Sequence, residues 1–354
     1  MLAELVGHVV GVDTHKDTHT AAVVASATGG VAGTETAHAN TAGYEALVEF
    51  ADLHSDATDR AWAIEGTGSY GAGLAHFLAA RGEWVLEVDR PTRPAQRDGA
   101  KSDALDAVRA AREVLGRTKL AQPRARGERE ALRCLLVTRE GAVRDRTRAT
   151  NQLKAMIVSA PEELRAKLRG LNGTALIGAC RRLRRPTGRP TDHVATVAAL
   201  RRLAARIEHL DNEIAEHDTD IKALTKAVCP QLLDELGVGP LSAAQAYISW
   251  SHPGRCRSEA AYANLAGVAP IEASSGQVVR HRLNRGGDRH LNRALHMVII
   301  TRYRCDPITK AYIAGRLADG KSHREARRCL KRYVARHLYR LLEAGPTTTQ
   351  ERTP

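Results

Sequence analysis

Four acidic residues have the types and spacing to do chemistry. Asp13 ends the apolar run V-V-G-V-D, Glu65 ends A-I-E before a glycine-rich turn, and Asp103 and Asp106 stand three apart in K-S-D-A-L-D-A. Carboxylates gathered in one place bind hard divalent cations such as Mg²⁺, and one or two such ions promote in-line displacement at a phosphodiester. Asp103 and Asp106 fall on one face of a predicted helix, where two like charges repel until a cation joins them. Each acid alone has a plainer reading. Asp103 suits a helix first turn, Asp106 an exposed surface, and Glu65 its own glycine turn. Asp13 is hardest to explain so simply, because it closes a buried strand. His15 and His19 follow it, and a turn accounts for them; they stay outside the expected metal shell. Thr67 is placed to orient Glu65 or touch phosphate. Tyr70 reads as a core tyrosine, with base stacking as the alternative.

The elements around these acids predict an α/β domain over residues 1–120. Strands are expected at 7–13, 18–26 and 31–37, a helix at 41–52, a strand at 60–64, a helix at 74–80, a strand at 83–88, and a helix from 103 to about 115 capped by Ser102. That order suits a ribonuclease-H topology, a mixed sheet flanked by helices. Residues 121–228 carry leucines and isoleucines at helical, nearly heptad spacing from Leu132 to Ile157 and from Leu200 to Leu224. They predict two long antiparallel helices, a coiled-coil arm for spacing or oligomerisation. Its tip holds Pro161, the run Arg181-Arg182-Leu183-Arg184-Arg185, and Pro186. Residues 229–345 read as an all-α domain, and 346–354 as a disordered tail. L-G-V-G-P-L-S-A-A resembles a helix-hairpin-helix, with Gly237 and Gly239 offering backbone N–H groups to a phosphate; a plain helix-helix turn is the competing reading.

Charge divides the chain. The whole carries +13, but residues 1–110 hold 8 Lys and Arg against 16 Asp and Glu, and the remainder 45 against 24. The acidic part suits a metal and the basic part a polyanion. Arg280, Arg282, Arg285, Arg289 and Arg293 form the first basic group, and arginines from Arg324 to Arg340 the second. Aromatic residues are 4%, which argues against a base-stacking platform for single strands. No apolar run reaches bilayer length, the N-terminus lacks the pattern of a signal peptide, and the six cysteines form no C-x-x-C pair. A cytoplasmic protein acting on nucleic acid is expected.

G-V-D-T-H-K, I-E-G-T-G-S-Y and K-S-D-A-L-D-A together resemble the N-terminal DEDD domain of a class of insertion-sequence transposases. These are relatives of the Piv invertase and include bridge-RNA-guided recombinases. L-G-V-G-P-L-S-A, Y-A-N-L-A-G-V-A-P-I-E-A-S-S-G-Q and N-R-G-G-D-R-H-L-N-R-A-L resemble their C-terminal transposase-20 domain. Gly66 and Ser102 stand where that pattern has alanine and threonine. The resemblance implies a RuvC-like Mg²⁺ site at Asp13, Glu65, Asp103 and Asp106, and a nucleophilic serine before glycine. That serine is Ser275, with Ser274 as the alternative. It also implies double-stranded DNA as substrate, a guide (bridge) RNA, and a homo-oligomer, dimer or tetramer. Residues alone make Ser274-Ser275-Gly276 only a loop, with no base nearby in sequence to activate the hydroxyl; the metal site would have to do so. The other readings are a RuvC-like metal-dependent nuclease or resolvase using water, and a non-catalytic nucleic-acid-binding protein.

Overall fold

The structure, a computed structural model, describes residues 1–88, 102–274 and 281–345. The chain forms two compact units, Met1–Ala125 and Arg126–Pro354.

The first unit contains β1 (His8–Thr14), β2 (Thr18–Ala25), β3 (Val31–His38), α1 (Thr41–Asp52), β4 (Arg60–Glu65), α2 (Ala72–Ala80), β5 (Val85–Val88) and α3 (Asp103–Leu115). The sheet order is β3-β2-β1-β4-β5. β1–β2 and β2–β3 are antiparallel, whereas β1–β4 and β4–β5 are parallel. Alternation along the strands sorts side chains onto two faces. Val10, Val12, Trp62 and Ile64 pack with Leu47, Leu74 and Leu78 of α1 and α2. Val9, Ala61, Ala63, Leu86 and Val88 pack with Ala107, Val108, Ala111 and Val114 of α3. Gly11 lies on the α3 side, and the helix backbone comes so close that a Cβ there would be 2.6 Å from Ala111 N and nearer still to Ala107 O. Ser102 caps α3 by accepting a hydrogen bond from Leu105 N, as expected. At the opposite end of the sheet, buried Arg60 binds Glu83, Asp52 and Ser55 O, and Trp62 Nε1 donates to Glu83.

The second unit is helical. It holds α4 (Glu128–Val158), α5 (Glu162–Leu168), α6 (Gly173–Arg181), α7 (Thr191–Val228), α8 (Pro230–Leu233), α9 (Pro240–Trp250) and α10 (Glu259–Leu265). A two-stranded ribbon of β6 (Ile271–Glu272) and β7 (His281–Arg282) follows, then α11 (Arg289–Cys305), α12 (Pro307–Ala318) and α13 (His323–Ala344). α4 and α7 run antiparallel, because Arg139 pairs with Asp218 and Arg146 with Asp211. The tip is built: Leu164 and Leu168 of α5 and Leu176, Ile177 and Cys180 of α6 pack on Leu153, Leu200 and Ala204. At the other end Leu132 and Ile221 pack on Ala244 and Ile248 of α9. A larger core unites α9, α10, α11 and α13 around Tyr262, Leu291, Leu295 and Leu338. The turn at Gly237 follows a single helical turn, α8, and Gly239 precedes α9 as its N-cap. Gly237 has φ 78°. A Cβ there would lie 3.0 Å from Val298 O of α11, so conformation and packing both demand glycine.

Candidate metal centre and basic surface

Parallel pairing of β1 with β4 ends at Val12↔Ile64. Asp13 and Glu65 are the next residues on two neighbouring central strands, and alternation aims both toward the α3 face. The close approach of α3 at Gly11 brings its first turn, with Asp103 and Asp106, to the same strand ends. Asp13 has a side chain only 12% exposed, whereas Asp103 is 52% exposed. Burial holds the Asp13 pKa above the usual carboxylate value; His15 opposes this shift, and the charges of Asp103 and Asp106 add to it. A carboxylate desolvated and crowded by like charge is a group that a cation relieves. Asp106 accepts a hydrogen bond from Arg109 at 2.8 Å. Glu65 is anchored through its backbone, whose carbonyl accepts from Thr14 Oγ1 at 2.8 Å.

The tightest grouping includes a residue the sequence reading left out. His15 Nε2 lies 3.2 Å from Asp13 Oδ2 and 3.4 Å from Asp103 Oδ1. One ligand atom each from Asp13, His15 and Asp103 falls within 4.8 Å of the others. Glu65 and Asp106 are not in that group. The only sequence signal for His15 was its position two residues beyond Asp13. The two carboxylates are hard oxygen donors of the kind Mg²⁺ or Mn²⁺ takes, whereas the imidazole is a softer ligand that suits later transition metals better. Arg124 is another unforeseen neighbour: a Cβ on Gly68, in the turn after Glu65, would lie 3.0 Å from its guanidinium. Thr67 is buried in that turn, and its hydroxyl has no partner among the described residues. Tyr70 is 59% exposed, so the expectation of a core tyrosine is corrected; it sits on the outer side of the turn.

In the second unit, Ser275 and Arg280 lie outside the described residues. Ser274 precedes them at the end of the chain leaving β6. Arg282 is exposed on β7, and Arg285 and Arg289 are exposed before and at the start of α11. Arg293 differs: its guanidinium donates to Glu140 of α4 at 2.9 Å, and His290 approaches the same carboxylate at 3.3 Å. That hydrogen bond holds Glu140 below the usual carboxylate range. On α13, Arg336 and Arg340 both pair with Glu259. Among the described residues no helix is long and apolar enough to cross a membrane.

A mixed α/β unit with acids at central strand ends, followed by a basic helical unit, is the layout of a DEDD-type transposase. Comparison with known families gives the same class: a model described as Transposase matches residues 10–160, and one described as Transposase IS116/IS110/IS902 family matches residues 229–314. The chain belongs to the IS110 family of insertion-sequence transposases, a class of enzymes that cut and rejoin DNA. It is 28% identical over 335 residues to the Insertion element IS900 uncharacterized 42 kDa protein of Mycobacterium paratuberculosis, covering 81% of this chain and 84% of that protein. It is also 29% identical over 155 residues to the Insertion element IS110 uncharacterized 43.6 kDa protein of Streptomyces coelicolor. That match spans 43% of this chain but only 38% of the relative.

Proposed function

We propose that the protein is a DNA recombinase that moves its insertion sequence by strand transfer through a serine, with a divalent cation, most simply Mg²⁺, held at Asp13, Glu65, Asp103 and Asp106. The observation that carries this reading is the convergence of Asp13 and Asp103 at the ends of β1 and α3, with Asp13 desolvated and repelled by its acidic neighbours. The strand order β3-β2-β1-β4-β5, antiparallel on the β3 side of β1 and parallel on the β5 side, supports a ribonuclease-H or RuvC-like sheet. A cation there would supply Lewis-acid polarisation of the scissile phosphate and stabilise the oxygen that leaves. Asp13 and Glu65 are fixed by strand pairing, and Asp103 and Asp106 by a capped helix, so the carboxylates are positioned before substrate arrives.

Ser275 is the proposed nucleophile. Its Oγ forms a bond to phosphorus as the bond to the departing sugar oxygen breaks; the serine proton is given up and the sugar oxygen gains one. Reversal with a different sugar hydroxyl rejoins DNA and frees the serine. Arg280, Arg282, Arg285 and Arg289 hold DNA through phosphates, and the backbone N–H groups around Gly237 and Gly239 add to that grip. A guide (bridge) RNA chooses the target, consistent with the small number of aromatic and base-reading side chains, and the enzyme works as a homo-oligomer.

Trapping the protein on DNA ends tests this. A covalent protein–DNA adduct is expected in the wild type, with loss in Ser275→Ala and in Asp13→Ala. Cleavage that persists in Ser275→Ala but not in Asp13→Ala would replace strand transfer by hydrolysis. Cleavage indifferent to Asp13→Ala would sink the metal site.

A further inference from the structure

Between the turn after α10 and the start of α11 lies a cavity of about 270 Å³ that includes Gly267, Leu283, Asn284, Arg285, Arg289 and Asn292 in its walls. We infer that it is a seat for a single backbone phosphate of a nucleic acid strand, bound without regard to sequence. This deepens the proposed function, since it rests on the chain acting on nucleic acid.

The walls are rigid. A Cβ on Gly287 would lie 2.9 Å from Leu265 O and closer still to the Gly267 backbone, so two loops meet there with no room for a side chain. Asp288 N donates to Leu265 O at 2.6 Å. Both asparagines act as internal fasteners. Asn284 Nδ2 donates to Asn264, and its Oδ1 accepts from Gly286 N. Asn292 Nδ2 donates to Ala266 O, and its Oδ1 accepts from Lys331 Nζ at 2.8 Å. Asp288 is likewise spent, accepting from His290 N, Leu291 N and Ser249 Oγ. The N–H groups of Asp288, His290, Leu291 and Asn292 at this helix start are therefore already used within the protein.

The charge in the cavity wall comes from two guanidiniums. Arg285 and Arg289 are exposed and have no acidic partner among the described residues, unlike Arg293 four residues on, which Glu140 neutralises. The two arginine forks offer donors and positive charge only. The ligand those forks select is an anionic acceptor, and a phosphodiester is the acceptor group that DNA and RNA share. The space is several times the roughly 30 Å³ share of one water, and just below the roughly 300 Å³ at which small-molecule pockets begin. Both asparagine amides are engaged within the protein and the guanidiniums meet phosphate whatever the base, hence the indifference to sequence.

The test uses full-length protein in chelator, with labelled duplex DNA of arbitrary sequence and, separately, labelled single-stranded RNA. Binding is followed by anisotropy across a salt series. In the double variant Arg285→Gln/Arg289→Gln, the slope of log affinity against log salt should become shallower by about 0.9 for duplex DNA or about 0.7 for a single strand. Affinity should fall about tenfold, the size of one charged hydrogen bond. Leu283→Glu, which sets a carboxylate in the cavity wall without removing an arginine, should do the same, and Arg148→Gln on α4 should not. Loss confined to DNA assigns the seat to the substrate, and loss confined to RNA assigns it to a guide. Unchanged slopes with both probes, or a loss that depends on base sequence, would overturn the inference. Because no chemistry is read, a failure of the serine or metal proposal would leave this result standing.

Discussion

A methyl group at Gly11 has no free space, and this makes a sharp test of how the acids are placed. Gly11 lies two residues before Asp13 on the same strand face. A Cβ there would meet Ala107 O, Ala111 N and Ala111 Cβ, the last at 2.9 Å. Helix backbone cannot rotate aside as a side chain can, so Gly11→Ala must lift α3 off the sheet. Overpacking of this kind costs about 3 kcal/mol, the upper end of the usual range. For a unit of this size the unfolding midpoint should drop by roughly 10 °C. Lifting α3 also separates Asp103 and Asp106 from Asp13. A displacement near one ångström costs about a hundredfold in rate, so cleavage should fall that far even well below the new midpoint. Gly141→Ala is the matched control: it lies in α4 with open space around it, and should hold or gain up to about 1 kcal/mol. Calorimetry and metal-dependent cleavage, run on both variants, read the two effects. Wild-type melting and wild-type cleavage in Gly11→Ala would refute the claim that tight packing of α3 on β1 assembles the site.

Other outcomes follow from the same contacts. Arg60→Ala strands the Glu83 carboxylate, whose side chain is 6% exposed, and should cost about 3–5 kcal/mol in chemical denaturation; Glu83→Gln, which keeps a hydrogen-bond acceptor, should cost less. Along the helical pair, Leu153→Ala removes a fully buried side chain and should cost about 2–5 kcal/mol, whereas Arg139→Ala breaks a partly exposed pair and should cost about 1 kcal/mol. Burial pushes the Cys229 thiol up to about 12 from 9.0. The folded state thus keeps a proton that the unfolded chain releases, so this stabilisation is complete below pH 9 and is lost as pH climbs from there toward 12; Cys229→Ala should flatten that alkaline decline in urea midpoints. Thiol labelling of the native protein should reach exposed Cys134 and Cys305 quickly and spare Cys180, Cys229 and Cys256 until unfolding.

Much of the first unit was legible because period-two alternation, glycine turns and a serine cap are local signals. β1, β4 and α3 fall where their patterns place them, and the acids at their ends follow. His15 escaped because a turn explains it in sequence, while its meeting with Asp103 depends on the return of a helix almost ninety residues later. The same limit applies to Arg293. Its charge is visible in sequence, but its neutralisation by Glu140, 153 residues away, is not. In the helical arm the long apolar spacing was plain, yet α5 and α6 were hidden among prolines and arginines. Their apolar residues are few, and they become helices by packing on Leu153 and Leu200. The cavity beside α11 had no sequence signature, since its asparagines act through contacts between separate loops.

The antiparallel pairing of α4 and α7 has a consequence for how such proteins can diverge. α4 leaves the base beside α9 and α7 returns to it, so length added to one must be matched in the other. Inserting seven residues in each preserves the facing sides and carries the tip outward by about 10 Å. Arg139–Asp218 and Arg146–Asp211 are themselves spaced by seven residues on each helix, so the seam already repeats in that unit. Reach can therefore change in discrete steps while the carboxylates and the arginine cavity, both outside the arm, keep their geometry.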